Sequence, residues 1–223
     1  MTFGVVVFPG SNCDLDAIYV ISKALRQDVA TIWHQDADLP SVDAIILPGG
    51  FSYGDYLRPG AIASRSPIMK AVIDFAVRGG WILGICNGFQ VLIEAGLLPG
   101  TLLRNQTTRF VSKPSALIVE NNTTVFTSTF KRHQEILLSI AHKDGNYYAD
   151  NLLLEELEKN HQIVLKYKDN PNGSIKNIAG ICNKEGNVMG MMPHPERSFA
   201  SWLGSTDGLS FFQSMLASWE SGS

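Results

Sequence analysis

A short apolar run that ends at a glycine-flanked cysteine decides the fold prediction: Trp81-Ile82-Leu83-Gly84-Ile85-Cys86-Asn87-Gly88-Phe89-Gln90. Its first five residues are typical of a buried strand, and apolar residues at helical spacing follow the cysteine. A nucleophile on such a strand-to-helix turn forms a nucleophile elbow, here with sulfur in place of a serine oxygen. Flanking glycines let neighbouring segments approach a turn whose backbone is strained.

Working outward from this run, strand and helix patterns alternate through the first half of the chain. Residues 3–8, 29–33, 43–47 and 81–85 are predicted to be buried strands, and residues 14–25 and 67–77 to be helices. Repeated strand–helix–strand crossovers predict a parallel sheet covered by helices on both faces, with right-handed connections. Functional residues are then expected beyond the carboxyl ends of the strands.

The second half is richer in strands separated by turn clusters. Its predicted strands are residues 116–119, 136–141, 163–167, 178–182 and 188–192. The last two flank a loop that is typical of a hairpin, and a final helix is predicted over residues 207–219. We therefore expect an α/β three-layer sandwich with a mostly parallel central sheet and antiparallel β additions, forming a single domain over residues 1–223.

Composition and charge exclude several classes of protein. The 223 residues are 45% hydrophobic and 17% charged, which is ordinary for a folded globular domain. A net charge of -3 without a Lys/Arg cluster predicts neither a nucleic-acid nor a membrane partner. The amino terminus does not resemble a signal peptide, and three widely separated cysteines favour a reducing, cytoplasmic location. Two of these cysteines, Cys13 and Cys182, receive no predicted role.

The elbow is also expected to activate the sulfur of Cys86. A free thiol has a pKa of about 8.5, whereas a helix amino terminus carries roughly half a positive charge and a nearby imidazolium adds more. Together they would hold Cys86 largely as thiolate. The alternative is that Cys86 is a small buried hydrophobic residue.

Among the five histidines, only His194 lies in a stretch that suits a catalytic base. Prolines flank it, and Glu196 follows two residues later, where a carboxylate would hold the imidazole with one nitrogen facing Cys86. The alternative is a solvated surface loop. A zinc deaminase site would need a later Cys-x-x-Cys, and a nucleotide site a glycine-rich phosphate loop; the sequence has neither, so we expect no metal and no cofactor in this chain.

A second glycine motif, Pro48-Gly49-Gly50-Phe51, follows the predicted strand at residues 43–47. The backbone amide of Gly50 or Phe51, together with that of Asn87, is the predicted oxyanion hole. The alternative is an ordinary glycine turn. The long aromatic loop over residues 51–60 is predicted to contact a partner or to gate the site.

These residues resemble the class I (triad) glutamine amidotransferases. Gly84-Ile85-Cys86-Asn87-Gly88-Phe89-Gln90, Pro48-Gly49-Gly50 and Pro193-His194-Pro195-Glu196 match three motifs of that family in order. Within it, the chain is similar to the glutaminase subunits of phosphoribosylformylglycinamidine synthase. The narrower similarity depends on residues 8–14, 50–58, 96–100 and 190–197, of which the aromatic loop is the most specific.

The resemblance implies a mechanism and partners. Cys86 would attack the side-chain amide of glutamine, His194 would protonate the departing ammonia, and Gln90 would help to bind the substrate. Ammonia would pass to a large synthetase subunit, which would use ATP and magnesium, and a small bridging subunit would complete the assembly.

One segment departs from the family pattern. Residues 140–145 read Ile-Ala-His-Lys-Asp-Gly, where the family often has Ile-Ala-His-Gly-Glu-Gly, so His142, Lys143 and Asp144 receive no catalytic role. Three rival functions remain: a glutaminase of another pathway, a cysteine peptidase, and a redox-sensing protein without enzymatic activity.

Overall fold

The computed structural model describes residues 1–222, which form two β-sheets and five α-helices. The strands are β1 Thr2–Val7, β2 Asp28–Trp33, β3 Ala44–Leu47, β4 Trp81–Ile85, β5 Thr101–Leu103, β6 Val111–Val119, β7 Glu135–His142, β8 Asn146–Tyr148, β9 Ile163–Tyr167, β10 Ile178–Cys182 and β11 Val188–Met191. The helices are α1 Asp14–Tyr19, α2 Ile68–Val77, α3 Asn87–Glu94, α4 Asn151–Lys159 and α5 Leu209–Gly222. A π-helical turn over Val20–Ala24 continues α1.

Nine strands form the central sheet, in the order β2-β1-β3-β4-β11-β10-β9-β6-β7. The first five are mutually parallel, as the alternating patterns predicted. The chain leaves β1 towards β2 on one side and later returns to β3 and β4 on the other. Because such crossovers are right-handed, α1 and α2 cover opposite faces of the sheet. The reversal between β1 and β3 is the kind of switch point where α/β proteins bind ligands.

The remaining strands extend the sheet as the predicted antiparallel additions. β10 pairs antiparallel with both β11 and β9, and β6 pairs antiparallel with β9 and β7. The hairpin predicted across residues 183–187 is confirmed by the pairing of β10 with β11. It delivers the chain from the antiparallel part of the sheet back to its centre, where β11 lies beside β4.

Three elements were absent from the sequence prediction: β5, β8 and α4. β5 and β8 have three residues each and pair only with one another, so neither is long enough to give an alternating pattern. In α4, the Asp150 carboxylate caps the helix by accepting a hydrogen bond from the amide of Leu153, and Leu154 and Leu157 are buried. Its leucines at 152–154 form a continuous apolar run rather than a periodic one, which obscures the helical period.

The hydrophobic core follows the sheet. β3 is buried along its whole length, as a strand covered on both faces must be. α5 begins at Leu209, slightly later than predicted, and buries its apolar residues Phe211, Phe212 and Met215. Within residues 1–222, no helix combines the length and hydropathy needed to cross a lipid bilayer.

Candidate active site

Cys86 lies on a sharp turn between β4 and α3, as the elbow prediction requires. Its backbone has φ 49° and ψ -103°, a conformation that residues other than glycine rarely adopt. Its amide donates a hydrogen bond of 2.7 Å to the carbonyl of Met191, which fixes the turn against β11. A Cβ atom at Gly88 would overlap the carbonyl oxygen of Leu47, so α3 can start this close to β3 only with glycine there.

Four neighbouring parallel strands deliver the polar residues to one edge of the sheet. Cys13 follows β1, Gly50 follows β3, Cys86 follows β4 and His194 follows β11. All four strands point the same way, so their carboxyl ends converge. This convergence brings Cys86 and His194 together although they are far apart in sequence.

His194 and Glu196 form a buried pair. Nδ1 of His194 lies 2.6 Å from Oε1 of Glu196, and the side chains are only 2% and 0% exposed. The amide of His194 donates to the carbonyl of Ser139 at 2.8 Å, which ties the loop to β7. Burial opposes the charged imidazolium, but the carboxylate of Glu196 and the sulfurs of Cys86 and Cys13 outweigh it and hold the pKa of His194 well above its ordinary value.

The sulfur of Cys86 interacts with the imidazole of His194. It is close enough to raise the pKa of His194 both by charge and as a hydrogen-bond partner. Because Glu196 occupies Nδ1, the other ring nitrogen, Nε2, is left to exchange a proton with the thiol; among residues 1–222 it has no hydrogen-bond partner of ordinary geometry. Sγ of Cys86 also lies 3.7 Å from the carbonyl oxygen of Ala141. The sulfur is buried, with Cys86 only 5% exposed, and it faces this carbonyl and the His194 ring.

Of the two amides predicted beside Asn87 for the oxyanion hole, that of Gly50 has no acceptor within residues 1–222, whereas that of Phe51 has one. The amide of Phe51 donates to the carbonyl of Gly10 at 3.0 Å, so it is already engaged. Gly50 has φ +136°, and a Cβ there would lie 2.6 Å from the amide nitrogen of Asn12. Its conformation and close packing both require glycine.

The Asn87 and Gln90 side chains join two loops beside the elbow. Asn87 accepts from the amide of Ser52 at 3.0 Å and donates to Oε1 of Gln90 at 2.9 Å. Gln90 in turn donates to the carbonyl of Asp144 at 2.7 Å. Both polar groups of Gln90 are therefore engaged within the protein, and its visible role is to hold the loop after β7.

Sequence reasoning missed an acidic pair next to this network. Oδ1 of Asp55 lies 3.4 Å from the amide nitrogen of the Asn87 side chain. Burial and the nearby carboxylate of Asp144 raise the pKa of Asp55 to about 6. The two aspartates come from loops that are distant in sequence. In the sequence, the one sign of this acidic pair was that residues 140–145, which include Asp144, depart from the family pattern.

His142, which received no role, is buried next to the site as a neutral ring. Its Nδ1 lies 3.1 Å from Oδ1 of Asn105. Burial and the neighbouring His194 lower the pKa of His142 to about 4. A ring that is neutral near pH 7 adds no positive charge beside the His194–Glu196 pair.

The aromatic loop is divided between anchoring and exposed residues. The Tyr53 hydroxyl lies 2.7 Å from Nδ1 of His34 and 3.0 Å from the hydroxyl of Ser66. Tyr56 and Leu57, by contrast, are 74% and 90% exposed. Tyr53 therefore holds the loop in place, and Tyr56 and Leu57 present apolar surface to the solvent.

Comparisons with known proteins show which family the chain belongs to. Residues 2–213 match the family model described as "CobB/CobQ-like glutamine amidotransferase domain". The phosphoribosylformylglycinamidine synthase subunit PurQ of Moorella thermoacetica is 54% identical over 231 residues, which cover 100% of this chain and 98% of the relative.

Solved structures show the same fold. A chain in the structure of PurLQS from Thermotoga maritima superposes with a TM-score of 0.88 and 45% identity, covering 97% of each chain. A putative GMP synthase protein from Thermoplasma acidophilum has a TM-score of 0.67 at 16% identity over 99% of this chain and 96% of that chain, a likeness of fold alone. The predicted family resemblance is confirmed: the chain belongs to the family of CobB/CobQ-like glutamine amidotransferase domains.

Proposed function

We propose that this chain is the glutaminase subunit of a phosphoribosylformylglycinamidine synthase of de novo purine biosynthesis. It hydrolyses the side-chain amide of glutamine to glutamate and ammonia. The ammonia passes to an ATP-dependent synthetase subunit, which converts formylglycinamide ribonucleotide to formylglycinamidine ribonucleotide. The observation that carries this proposal is the 54% identity to a PurQ subunit over the whole chain. The buried His194–Glu196 pair beside the Cys86 elbow supports it independently.

The first chemical step is attack by the Cys86 thiolate on the side-chain carbonyl carbon of glutamine. A carbon–sulfur bond forms and the carbonyl electrons move to oxygen. The amides of Gly50 and Asn87 are suited to stabilise this oxyanion, since neither has a hydrogen-bond acceptor among the described residues. The raised pKa of His194 supports the thiolate–imidazolium state that the attack needs.

The carbon–nitrogen bond then breaks. His194 donates its proton from Nε2 to the leaving nitrogen, so ammonia departs and a glutamyl thioester remains on Cys86. A water molecule attacks the thioester while the neutral imidazole accepts its proton. The carbon–sulfur bond breaks, glutamate is released, and the thiolate–imidazolium pair is restored. Glu196 keeps the ring oriented and balances the imidazolium in both half-reactions.

Asp55 and Asp144 suit the α-ammonium group of glutamine. Two carboxylates that share a partly buried site repel one another, which is one cause of the raised pKa of Asp55. A bound ammonium would relieve this repulsion and favour both charged carboxylates. Gln90, which donates to the carbonyl of Asp144, then serves substrate binding by fixing this pair.

The partners follow from the relatives' complex. A large synthetase subunit supplies the ATP and magnesium chemistry, and a small bridging subunit completes the assembly. The similar Thermotoga maritima chain comes from the structure of PurLQS, which supports a complex of this kind. The chain itself needs no cofactor for the steps above. A cytoplasmic location fits this pathway and the three free cysteines.

The test is glutamate release by the purified chain, alone and with its synthetase, combined with the Cys86→Ala variant. Loss of the nucleophile should reduce glutamine-dependent synthesis by about 10⁴-fold or more and leave synthesis from free ammonia unchanged. Cys182→Ala, which removes a buried thiol outside the site, is the matched control and should keep both activities. Peptide cleavage without glutamine hydrolysis would instead identify a peptidase.

A further inference from the structure

A second thiol lies beside the catalytic histidine. Cys13 follows β1 and is 2% exposed, and its Sγ lies 3.3 Å from Oδ1 of Asn12. A Cβ built on Gly49 would lie 3.2 Å from Sγ of Cys13 and 2.7 Å from Cε1 of His194. The absence of a side chain at Gly49 therefore leaves the sulfur and the imidazole facing each other across a narrow gap. The proposed glutaminase chemistry gives Cys13 no part.

Cys13, His194 and Glu196 bring three metal-binding atom types together. One sulfur, one ring nitrogen and one carboxylate oxygen all lie within 4.8 Å of one another, and all three residues are buried. Within residues 1–222, Oε2 of Glu196 is buried and has no hydrogen-bond partner. Buried polar atoms without a partner are uncommon, and a bound ion is one way in which they are satisfied.

We propose that Cys13, His194 and Glu196 form a binding site for Zn²⁺, and that occupation of this site inhibits the glutaminase. Thiolate, imidazole and carboxylate are the three ligand types that zinc takes in proteins. Three protein ligands leave the fourth tetrahedral position to water. Magnesium and calcium prefer oxygen ligands, so the cysteine and histidine select zinc over these cations.

Zinc binding and catalysis exclude each other in this geometry. Two nitrogen or oxygen ligands on tetrahedral zinc lie roughly 3.3 Å apart, given metal–ligand distances of about 2.0 to 2.2 Å. Nδ1 of His194 and Oε1 of Glu196 are only 2.6 Å apart, so the ion must replace their hydrogen bond. A histidine bound to zinc can neither hold nor transfer the proton for Cys86. The catalytic pair is therefore lost for as long as zinc stays bound.

Zinc entry requires a local opening of the structure, because all three ligand side chains are buried. Glu196 lines a surface cavity of about 590 Å³ together with Asp16, Ser139, Arg197, Phe199, Trp202 and Leu203. The positive charge of Arg197 at this entrance is paired with Asp16 at 2.9 Å, which reduces its repulsion of a cation.

The activity test compares zinc inhibition in the assembled complex. Glutamine hydrolysis is measured at buffered free Zn²⁺ for the wild type, Cys13→Ser and Cys182→Ser, each relative to its own zinc-free rate. Loss of one ligand should raise the half-inhibitory zinc concentration by about tenfold or more in Cys13→Ser, as loss of metal-site partners typically does. Cys182→Ser should match the wild type. Equal inhibition of Cys13→Ser and the wild type would overturn the proposal, because Cys86 and His194 would then bind zinc alone.

A binding test needs no glutaminase activity and so separates this inference from the proposed function. Zinc affinity is measured by competition with a chromophoric chelator for Cys86→Ser and for the double variant Cys13→Ser/Cys86→Ser. The single variant should bind one zinc ion, and the double variant should lose at least about tenfold in affinity. Equal affinity of the two variants would contradict the site. Cys13→Ala provides the same comparison if the serine variant does not fold.

Discussion

The elbow at Cys86 and the aromatic loop over residues 51–60 both contain strained backbone, but they use it differently. Cys86 has φ 49°, and Tyr53, Asp55 and Leu57 in the loop have φ between 54° and 69°. The elbow is buried and bonded to β11 through the amide of Cys86. The loop is held by Tyr53 and leaves Tyr56 and Leu57 in the solvent. The strained elbow orients a reactive atom, whereas the loop presents apolar side chains to the solvent.

We therefore expect the elbow to act in glutamine hydrolysis and the aromatic loop to act in assembly with the partner. The proposed triad of Cys86, His194 and Glu196 needs fixed geometry for proton transfer, whereas an exposed apolar loop is suited to contact another protein. Changes in the triad should therefore reduce the rate of glutamine hydrolysis without affecting assembly. Changes at the tip of the loop should do the reverse.

Among variants that keep the Cys86 nucleophile, the largest effect is expected from Glu196→Gln. An amide in place of the carboxylate cannot balance the imidazolium, so glutamine hydrolysis should fall by about 10³- to 10⁴-fold. Glu196 also raises the pKa of His194. Its removal lowers that pKa, so the imidazolium is lost at a lower pH and the alkaline limb of the kcat/KM profile should shift to lower pH. Glu185→Gln, in the exposed hairpin loop, is the control; an unchanged rate and profile in Glu196→Gln would contradict the triad.

A smaller effect is expected from Tyr56→Ala combined with Leu57→Ala. If the loop tip contacts the synthetase, removing both side chains should raise the Kd of the complex by about 10- to 100-fold. Glutamine hydrolysis at saturating partner should stay unchanged. Leu152→Ala, at a residue 78% exposed on α4, is the matched control for loss of surface apolar area. An unchanged Kd, measured by calorimetry, would remove the loop tip from the interface.

Asp55 connects the two regions, since it belongs to the loop but faces Asn87. Its pKa in the folded chain is about 6 instead of 3.8. This raised pKa contributes stability that is fully present below the unfolded value and is lost as the pH rises through about 6. As the pH rises from about 5 to about 7.5, the free energy of unfolding of Asp55→Asn should therefore increase by at most about 1 kcal/mol relative to that of the wild type, after allowance for solvent screening.

The same Asp55→Asn variant should bind glutamine less well. Its KM for glutamine should rise by about tenfold, which is the value of one charge-assisted contact of roughly 1.4 kcal/mol. Denaturant unfolding at two pH values and steady-state kinetics measure the two effects separately. A variant that gained stability and kept its KM would show that Asp55 does not contact the substrate.

The sequence predicted the parallel half of the sheet because each strand there is a short, continuous apolar run, as at residues 81–85. The elbow at Cys86 and the pairing of His194 with Glu196 were also predictable, since each lies in a short motif whose residues suggest a chemical role; the triad itself stays a prediction. Cys13, Asp55 and Asp144 could not be found in this way. They reach the site because the carboxyl ends of β1 and β3 and the loop after β7 converge in the fold. A local sequence pattern does not predict that convergence. The hydrogen bond from the Phe51 amide to the Gly10 carbonyl could not be predicted for the same reason.

The most direct test of the central claim is mass spectrometry after treatment with 6-diazo-5-oxo-norleucine, an electrophilic analogue of glutamine. The proposed thiolate at the elbow predicts one adduct, on Cys86, with Cys13 and Cys182 unmodified and labelling blocked by excess glutamine. It also predicts slower labelling in His194→Asn, which cannot share a proton with the sulfur. Labelling at another cysteine, or at Cys86 with the same rate in His194→Asn, would contradict the coupling of Cys86 to His194.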